Sequence, residues 1–313
     1  MEPLFFEGTF HEKIWGGSKL KDVFNYNIPN AMTGELWAIS AHPNGPATVK
    51  NGKYAGKTLA ELWDNNRELF GYQDGRSFPL LTKIIDAQNN LSVQVHPDDV
   101  YALEYEGELG KTECWYILSA EPNSEIIFGH NAKSEKEFRS LIKDGKWTEL
   151  LRSVKVKAGD FFYVPSGTVH AIGSGVMVLE TQQSSDTTYR LYDYDRRDDA
   201  GNPRELHIEQ SIDVTVIPHV DKQPEFIVKE KENGVLRNLV SSEFFTVCEW
   251  NLTGELFFDQ EGLYTLVSVI DGEGEILVTD ISYKIKKGDH FLLPNSIKHW
   301  EIIGNLKMIA SHP

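Results

Sequence analysis

The chain has 313 residues, of which 40% are hydrophobic and 25% charged, a composition that argues against an intrinsically disordered protein. Acidic residues outnumber basic ones by 47 to 31, and the net charge of −16 opposes nucleic acid and anionic membranes as partners. The sequence has neither an apolar run of about 18 residues nor a secretory signal, and its two cysteines are too few for a disulfide framework, so we expect a cytoplasmic protein with reduced thiols and no membrane span.

Helical patterns are confined to two segments. Thr58, with a glutamate three residues later, has the pattern of a capping box and predicts a helix that ends before Gly71. Ser134 begins the second predicted helix, which covers residues 134–154 and has an apolar stripe interrupted at Gly145. Neither helix alternates regularly with strands, so a doubly wound α/β fold is not expected.

Polar side chains alternate with apolar ones along the segment 91–99. On a strand, Ser92, Gln94 and His96 would share one face, and the leucine and valines between them the other. A polar face on an otherwise buried strand needs a partner, because unpaired buried polar groups are costly. This face is therefore a candidate functional surface.

The next alternating segment, 111–118, places Lys111 and Glu113 on one face. His170 follows a Pro-Ser-Gly turn further along the chain. Together with His96, these residues supply two imidazoles and a carboxylate, with the amide of Gln94 nearby, and such a set suits a divalent metal such as zinc. The alternative is that the histidines are ordinary core residues with local partners.

Short segments rich in β-branched and aromatic residues, bounded by Gly, Pro, Asn or Asp, predict strands in much of the chain. The predicted strands are 154–156, 161–165, 176–179, 264–270, 275–279 and 291–294.

The segment 180–197 is too polar for a core strand and too rich in tyrosine for a linker, and a solvated loop is the simplest alternative. Arg190, flanked by aromatic residues, is better explained as a positioned anion binder. It could instead brace the loop by pairing with Asp186 or Asp193.

An internal repeat determines the predicted architecture. Residues 158–170 recur as residues 287–299, with Gly, Asp, Phe, Pro and His in register at one offset, the 129 residues that separate His170 from His299. A Gly-Asp turn, a buried strand, a Pro-containing turn and a histidine are typical of a cupin barrel. The sequence thus predicts a mainly β chain of two tandem cupin-type jelly-roll barrels with a few flanking helices.

We expect a catalytic barrel with helical additions over residues 1–220 and a degenerate barrel over residues 221–313. The strand predicted at 264–270 has no carboxylate, and no His-X-His or Gln-X-His pair precedes it. We therefore expect no metal at His299.

Four longer motifs resemble the type I mannose-6-phosphate isomerases, and most closely their short bacterial class. The motifs are FPLLTKIIDAQNNLSVQVHPDD (78–99), GKTECWYIL (110–118), PSGTVHAIGSG (165–175) and ETQQSSDTTYRLYDYDR (180–196). IWGG (14–17) and GELWAISAHPNG (34–45) fit the same pattern. The resemblance is dense over residues 1–215 and loose beyond them.

The resemblance implies one zinc ion per chain, a sugar-phosphate substrate and a defined set of site residues. The implied zinc ligands are Gln94, His96, Glu113 and His170. Arg190, Lys111 and Glu180 would be catalytic residues, and Ser92, Lys111, Asp186 and Arg190 would bind the substrate.

The sequence departs from the longer members of the family in two ways. His170 follows Glu113 by only 57 residues, so the large helical insertion is mostly missing. Ile172 stands where the family has a pocket tyrosine, two residues after the last zinc histidine.

The implied reaction interconverts mannose 6-phosphate and fructose 6-phosphate by proton transfer through a cis-enediol, whose negative charge Lys111, Arg190 and the metal would stabilise. Glu180, Asp186 and a metal-bound water are alternative bases. A metal-dependent oxygenase and a non-catalytic sugar-binding protein are alternative functions, since two histidines and a carboxylate also form the non-haem iron triad. We expect a monomer or a weak homo-oligomer.

Overall fold

The computed structural model describes residues 1–197 and 201–313, which form twenty β-strands and six α-helices. The strands are β1 (Leu4–Glu7), β2 (Thr9–Gly17), β3 (Thr33–Ile39), β4 (Thr48–Val49), β5 (Leu80–Ala87), β6 (Val93–Val95), β7 (Glu113–Ala120), β8 (Glu125–His130), β9 (Leu151–Lys155), β10 (Phe161–Val164), β11 (His170–Ile172), β12 (Val176–Gln183), β13 (Tyr189–Tyr192), β14 (Ile227–Lys231), β15 (Gly234–Ser241), β16 (Thr246–Asp259), β17 (Thr265–Val278), β18 (Ile281–Lys286), β19 (His290–Leu293) and β20 (His299–His312). The helices are α1 (Lys19–Phe24), α2 (Leu59–Asn65), α3 (Asp99–Tyr105), α4 (Glu135–Lys143), α5 (Trp147–Leu150) and α6 (Ile208–Val214). The prediction of a mainly β chain with a few helices is confirmed.

The two predicted helices have different outcomes. Thr58 caps α2 through a complete capping box, a 3₁₀ turn continues the helical path, and Gly71 ends it in the left-handed region at φ 65°. The second prediction, one helix over residues 134–154, is wrong beyond α4. Gly145 adopts φ 66° and breaks the helix, a short α5 follows, and β9 replaces the predicted end because it pairs with β8.

Two strand predictions also need correction. The segments 264–270 and 275–279 belong to one long strand, β17. Residues 180–183, which we expected to be too polar for a core strand, are the buried end of β12. The amide nitrogen of Gln182 is satisfied locally, since Nε2 donates to two backbone carbonyls, those of Gln183 and Ser185. Hydrogen bonding of this kind is what allows polar side chains in a core strand.

Two antiparallel sheets form the N-terminal sandwich. The inner sheet has the strand order β10-β7-β12-β5-β3-β2, and the helix-covered sheet has the order β13-β6-β11-β8-β9. An apolar core lies between them and includes Trp115 and Val178 of the inner sheet and Ile126 of the helix-covered sheet. The outer face of the helix-covered sheet packs against α4, α5 and α6 through a second core that includes Val93 and Val95. Both faces of β6 are therefore occupied, one by helices and one by the interior of the sandwich.

The C-terminal sheet has the order β14-β15-β16-β20-β17-β19-β1-β4, with β18 paired to β17. Two strands of this sheet, β1 and β4, come from the N-terminal end of the chain, although the other strands lie after residue 220. The division into two domains at residue 220 stays a prediction. A third core joins this sheet to the outer face of the inner sheet. No helix in the described part of the chain is long and apolar enough to span a membrane.

Glycines allow the three longest strands to bend. Gly304 of β20 lies opposite both Gly254 of β16 and Gly274 of β17. A Cβ at Gly304 would lie 2.7 Å from the Cα of Gly274, so no other residue fits at this crossing. The bend is strong: Trp250 and Phe258, eight residues apart on β16, would be about 26 Å apart on a straight strand, yet their ring centroids are 4.5 Å apart.

The internal repeat is a repeat of structure as well as of sequence. Gly159 and Gly288 adopt nearly equal positive φ angles, 89° and 92°. The carboxylates of Asp160 and Asp289 each accept a hydrogen bond of 2.9 Å from the backbone N–H three residues earlier. These turns explain why both copies require Gly-Asp before the strand.

Candidate metal centre and its cavity

His96, Glu113 and His170 meet inside the N-terminal sandwich. His96 follows β6, and the other two residues begin β7 and β11. Nε2 of His96 lies 3.5 Å from one oxygen of Glu113, and Nε2 of His170 lies 3.4 Å from the other. All three potential ligand atoms lie within 4.8 Å of one another, and the side chains are at most 1% exposed.

Backbone carbonyls orient both imidazoles toward the carboxylate. Nδ1 of His96 lies 2.9 Å from the carbonyl oxygen of Thr187, and Nδ1 of His170 lies 2.8 Å from that of Thr168. Nδ1 must therefore carry the proton, which leaves the Nε2 lone pair of each ring facing Glu113. Histidines that bind a metal usually donate their other ring N–H to a carbonyl or carboxylate oxygen in this way.

The charge balance also favours a cation. Burial lowers the pKa of His96 well below its usual range and that of His170 to about 4, so both rings are neutral. Nε2 of His96 and both oxygens of Glu113 have no hydrogen-bond partner among the described residues. A divalent ion would satisfy these atoms together, since two imidazoles and a carboxylate form a common zinc donor set.

Gln94 lies beside this cluster, as the alternation along the strand predicted. Its Nε2 is 3.3 Å from Nε2 of His170, and β6 and β11 pair at these two residues. Rotation of the terminal amide by half a turn would bring Oε1 to the same place. The side chain is thus within reach of an ion held by the other three.

A cavity of about 330 Å³ opens next to the cluster. Its wall contains five cations and three acids, a local excess of positive charge in a chain of net charge −16. The five predicted residues that are not metal ligands all line it: Ser92, Lys111, Glu180, Asp186 and Arg190. The charged wall residues that the sequence had not singled out are Lys13, Glu35, Lys83 and Arg204.

Arg190 is held by neutral acceptors. Its Nε donates to the hydroxyl of Ser92 at 3.3 Å, and its Nη1 donates to the carbonyl of Glu205 at 2.9 Å. Asp193, the predicted bracing partner, pairs with Arg196 and Arg204, while Asp186 accepts from Asn44. Among the described residues no carboxylate forms an ion pair with Arg190, so its charge is available to the cavity.

Lys111 and Glu180 are both buried at the cavity wall. Nζ of Lys111 lies 3.4 Å from Glu113. Burial alone would lower its pKa, but Glu113, Glu180 and Asp186 raise it on balance, so Lys111 carries a positive charge. Burial and the charge of Glu113 raise the pKa of Glu180, which accepts a hydrogen bond of 2.9 Å from Nε1 of Trp115.

Lys83 and Glu35 extend this charged network. Nζ of Lys83 lies 3.6 Å from Glu180 and 4.7 Å above the ring of Trp37, whose Nε1 donates to Glu35. Burial would raise the pKa of Glu35, but Lys83, Lys13 and the Trp37 hydrogen bond lower it to about 2. Lys83 stands within the apolar run LLTKII, and this was the sequence feature that could have predicted the charged network. A charged side chain in a buried strand requires a partner.

The chain is similar to two family models and to proteins of known sequence. Residues 4–118 match the family model described as phosphomannose isomerase type I, catalytic domain, and residues 236–313 match the one described as mannose-6-phosphate isomerase, cupin domain. The chain is 57% identical to the mannose-6-phosphate isomerase of Streptococcus mutans, over 99% of this chain and 98% of that protein. It is 52% identical to a mannose-6-phosphate isomerase of Bacillus subtilis, over 99% of both chains.

Solved structures show the same similarity. The crystal structure of the mannose 6-phosphate isomerase from Bacillus subtilis superposes with a TM-score of 0.98, at 49% identity and full coverage of both chains. A variant of the phosphomannose isomerase from Salmonella typhimurium matches with a TM-score of 0.80 at 14% identity, covering 100% of this chain and 99% of that one, which shows a shared fold.

Proposed function

This chain belongs to the type I phosphomannose isomerases, and on that premise we propose that it interconverts mannose 6-phosphate and fructose 6-phosphate with one zinc ion per chain. The observation that carries this proposal is the convergence of His96, Glu113 and His170 next to a cavity in which cationic lining residues outnumber acidic ones by five to three. A dianionic sugar phosphate would enter such a cavity despite the acidity of the whole chain.

Gln94, His96, Glu113 and His170 would hold the zinc ion. Nε2 of His96 and both oxygens of Glu113 are buried there without a hydrogen-bond partner among the described residues. The number and type of the four ligands match a zinc site better than a magnesium site, which requires more oxygen ligands. The ion would supply a fixed positive charge beside the reacting oxygens of the sugar.

The cavity cations would bind and orient the substrate. In the proposed reaction a proton leaves C2 of the aldose and is returned at C1, through a cis-enediol with negative charge on its oxygens. Lys111 and Arg190 offer positive charge for those oxygens, and Ser92 holds the Arg190 guanidinium in place. Preorganised donors of this kind stabilise a developing oxyanion without reorganisation.

Glu180 is the base that the geometry favours. Its carboxylate is buried at the cavity wall, with Trp115 orienting one oxygen and Lys83 next to the other. Its raised pKa increases its proton affinity, as a general base requires. Asp186 is exposed and hydrogen-bonded to Asn44, so it is better placed to contact the substrate at the rim of the cavity.

We also propose that the enzyme acts in the cytoplasm, where its thiols, Cys114 and Cys248, would stay reduced. Both are free in the structure. The expectation of a monomer or a weak homo-oligomer stays a prediction.

A coupled assay tests the proposed function. The protein, loaded with zinc or exhaustively chelated, is mixed with mannose 6-phosphate, and fructose 6-phosphate is measured. Product should form only with metal present, and equally in the surface variant Arg139→Ala. Oxygen consumption instead of product would favour the oxygenase alternative, and saturable binding without turnover would favour a sugar-binding protein.

A further inference from the structure

A second cavity lies in the C-terminal sheet, where β16 bends back on itself. It has a volume of about 230 Å³, and among the described residues none lines both this cavity and the one next to His96, Glu113 and His170, which we call the catalytic cavity. Three aromatic side chains on β16 and β20 form its floor: Trp250, Phe258 and Trp300. Small barrels are normally filled by their own side chains, so a cavity of this size in one needs an explanation.

The three rings of the floor pack against one another as one aromatic cluster. The rings of Phe258 and Trp300 are parallel within 5°, with centroids 5.9 Å apart, and Trp250 packs 4.5 Å from Phe258. Nε1 of Trp300 and Nε2 of His312, both on lining residues, have no hydrogen-bond partner among the described residues. Buried polar atoms without partners are rare in folded proteins, and a ligand hydroxyl that reached either atom would satisfy it.

The rim carries charges of both signs. Asp259 and Glu261 supply carboxylates, each with one partner: His299 lies 2.6 Å from Asp259, and Lys229 lies 3.8 Å from Glu261. Arg237, also on the wall, is engaged by Glu249 at 2.7 Å. Lys231 is the lining cation without a carboxylate partner among the described residues. One such lysine is a poor match for a phosphate dianion, which usually binds to several unpaired cations or an arginine fork.

We propose that this cavity binds the pyranose ring of an unphosphorylated sugar. The apolar face of the ring would lie on the aromatic floor, and the hydroxyls at its edge would pair with the mixed donors and acceptors of the rim. Each hydroxyl both donates and accepts, so the two carboxylates and the lysines are suitable partners. This binding site goes beyond the isomerase function and does not depend on it.

Titration calorimetry with methyl α-D-mannopyranoside tests the proposal. This glycoside has no phosphate and cannot open, so it is neither a substrate nor a good ligand for the cationic cavity. We expect saturable binding with a Kd of about 1 mM, in the range of a small ligand held by a few polar contacts. Asp259→Ala and Trp300→Phe should each weaken binding about fivefold, the equivalent of one hydrogen bond.

Asp271→Ala is the matched control. Like Asp259, Asp271 is exposed and has one side-chain partner, Lys287, but it does not line this cavity. The control should bind as the unmodified protein does, and all three variants should keep their kcat/KM for mannose 6-phosphate. Absence of saturable binding to the folded protein up to about 50 mM would overturn the proposal.

Two other results would also overturn it. Binding that is lost in Arg190→Ala but kept in Asp259→Ala and Trp300→Phe would place the glycoside in the catalytic cavity. Tighter binding of inorganic phosphate or adenosine, sensitive to the same two C-terminal variants, would assign the cavity to another class of ligand.

Discussion

His170 and His299 hold the same place in the internal repeat but face opposite environments. His170 is 1% exposed and lies against His96 and Glu113, whereas the side chain of His299 is 80% exposed and pairs with Asp259 at 2.6 Å. Trp300, the next residue, packs instead in an apolar core of the C-terminal sheet that includes Phe291 and Ile302. A shift of one residue in a strand exchanges its two faces, so the second copy loses the inward histidine although the sequence motif is intact.

Loss of an imidazole from the cluster should abolish metal binding. His96→Ala and His170→Ala should each reduce bound zinc from about one ion per chain to almost none, because the carboxylate and a single histidine make a weak site. Turnover should fall with the zinc content, as measured by mass spectrometry of the metal and by the coupled assay. His299→Ala is the control and should keep both. Normal turnover of either cluster variant after chelation would rule out the metal assignment.

Arg190→Lys should lower kcat by about 10²-fold, the cost of removing one oxyanion donor. Lysine keeps the charge but cannot hold Ser92 and the carbonyl of Glu205 while also presenting a donor to the cavity. Zinc content should not change, and Arg139→Lys on the surface should behave as the unmodified enzyme. A near-native kcat with altered thermal stability would instead show that Arg190 only braces the loop.

Glu180→Gln should slow proton transfer at C2 by roughly 10² to 10⁴ while leaving zinc content unchanged. Glutamine can still accept the Trp115 hydrogen bond, but it removes the negative charge beside Lys83, so Tm should fall and turnover is compared at a temperature at which the variant is folded. Turnover of mannose 6-phosphate in heavy water, followed by NMR, should incorporate deuterium in the native enzyme and do so far more slowly in the variant. Asp186→Asn should have the smaller effect. A larger loss of rate in Asp186→Asn than in Glu180→Gln would assign the base to Asp186. With substrate labelled at C2, transfer of that hydrogen to C1 without solvent exchange under slow turnover would indicate a hydride shift.

Asp193 should make the folded state sensitive to acid. Arg204 and Arg196 hydrogen-bond its carboxylate, outweigh the effect of burial and lower its pKa. A group whose pKa is lower in the folded state stabilises the fold above its unfolded pKa, and this stabilisation is lost as the pH falls below about 4. Asp193→Asn should therefore cost roughly 2 kcal/mol at pH 7, and the difference in unfolding free energy should shrink in acid.

Urea denaturation at several pH values measures this effect. Asp221→Asn is the comparison, since Asp221 pairs with Arg152 but is half exposed. Exposed pairs contribute about 0–1 kcal/mol, so its cost should be the smaller of the two. Equal costs for both variants, or a cost for Asp193→Asn that does not depend on pH, would contradict the assignment.

Local patterns in the sequence determined which candidate site residues share a strand face. The two-residue period of a strand places Gln94 with His96 and Lys111 with Glu113, whatever the rest of the chain does. The Gly-Asp turns are equally local, because the aspartate caps a backbone N–H only three residues away. The family resemblance then assigned roles that periodicity alone could not, including that of Arg190.

Only the tertiary structure decided what depends on contacts between distant segments. The pairing of β1 with β19, the strand β9 at the end of a predicted helix, and the charged group of Lys83 and Glu35 all depend on such partners. The outward orientation of the His299 side chain also depends on distant partners, since pairing with neighbouring strands sets which side of β20 is inward. Short-range pattern specifies which side chains share a face, but burial of the apolar set against distant strands selects the face that becomes the interior.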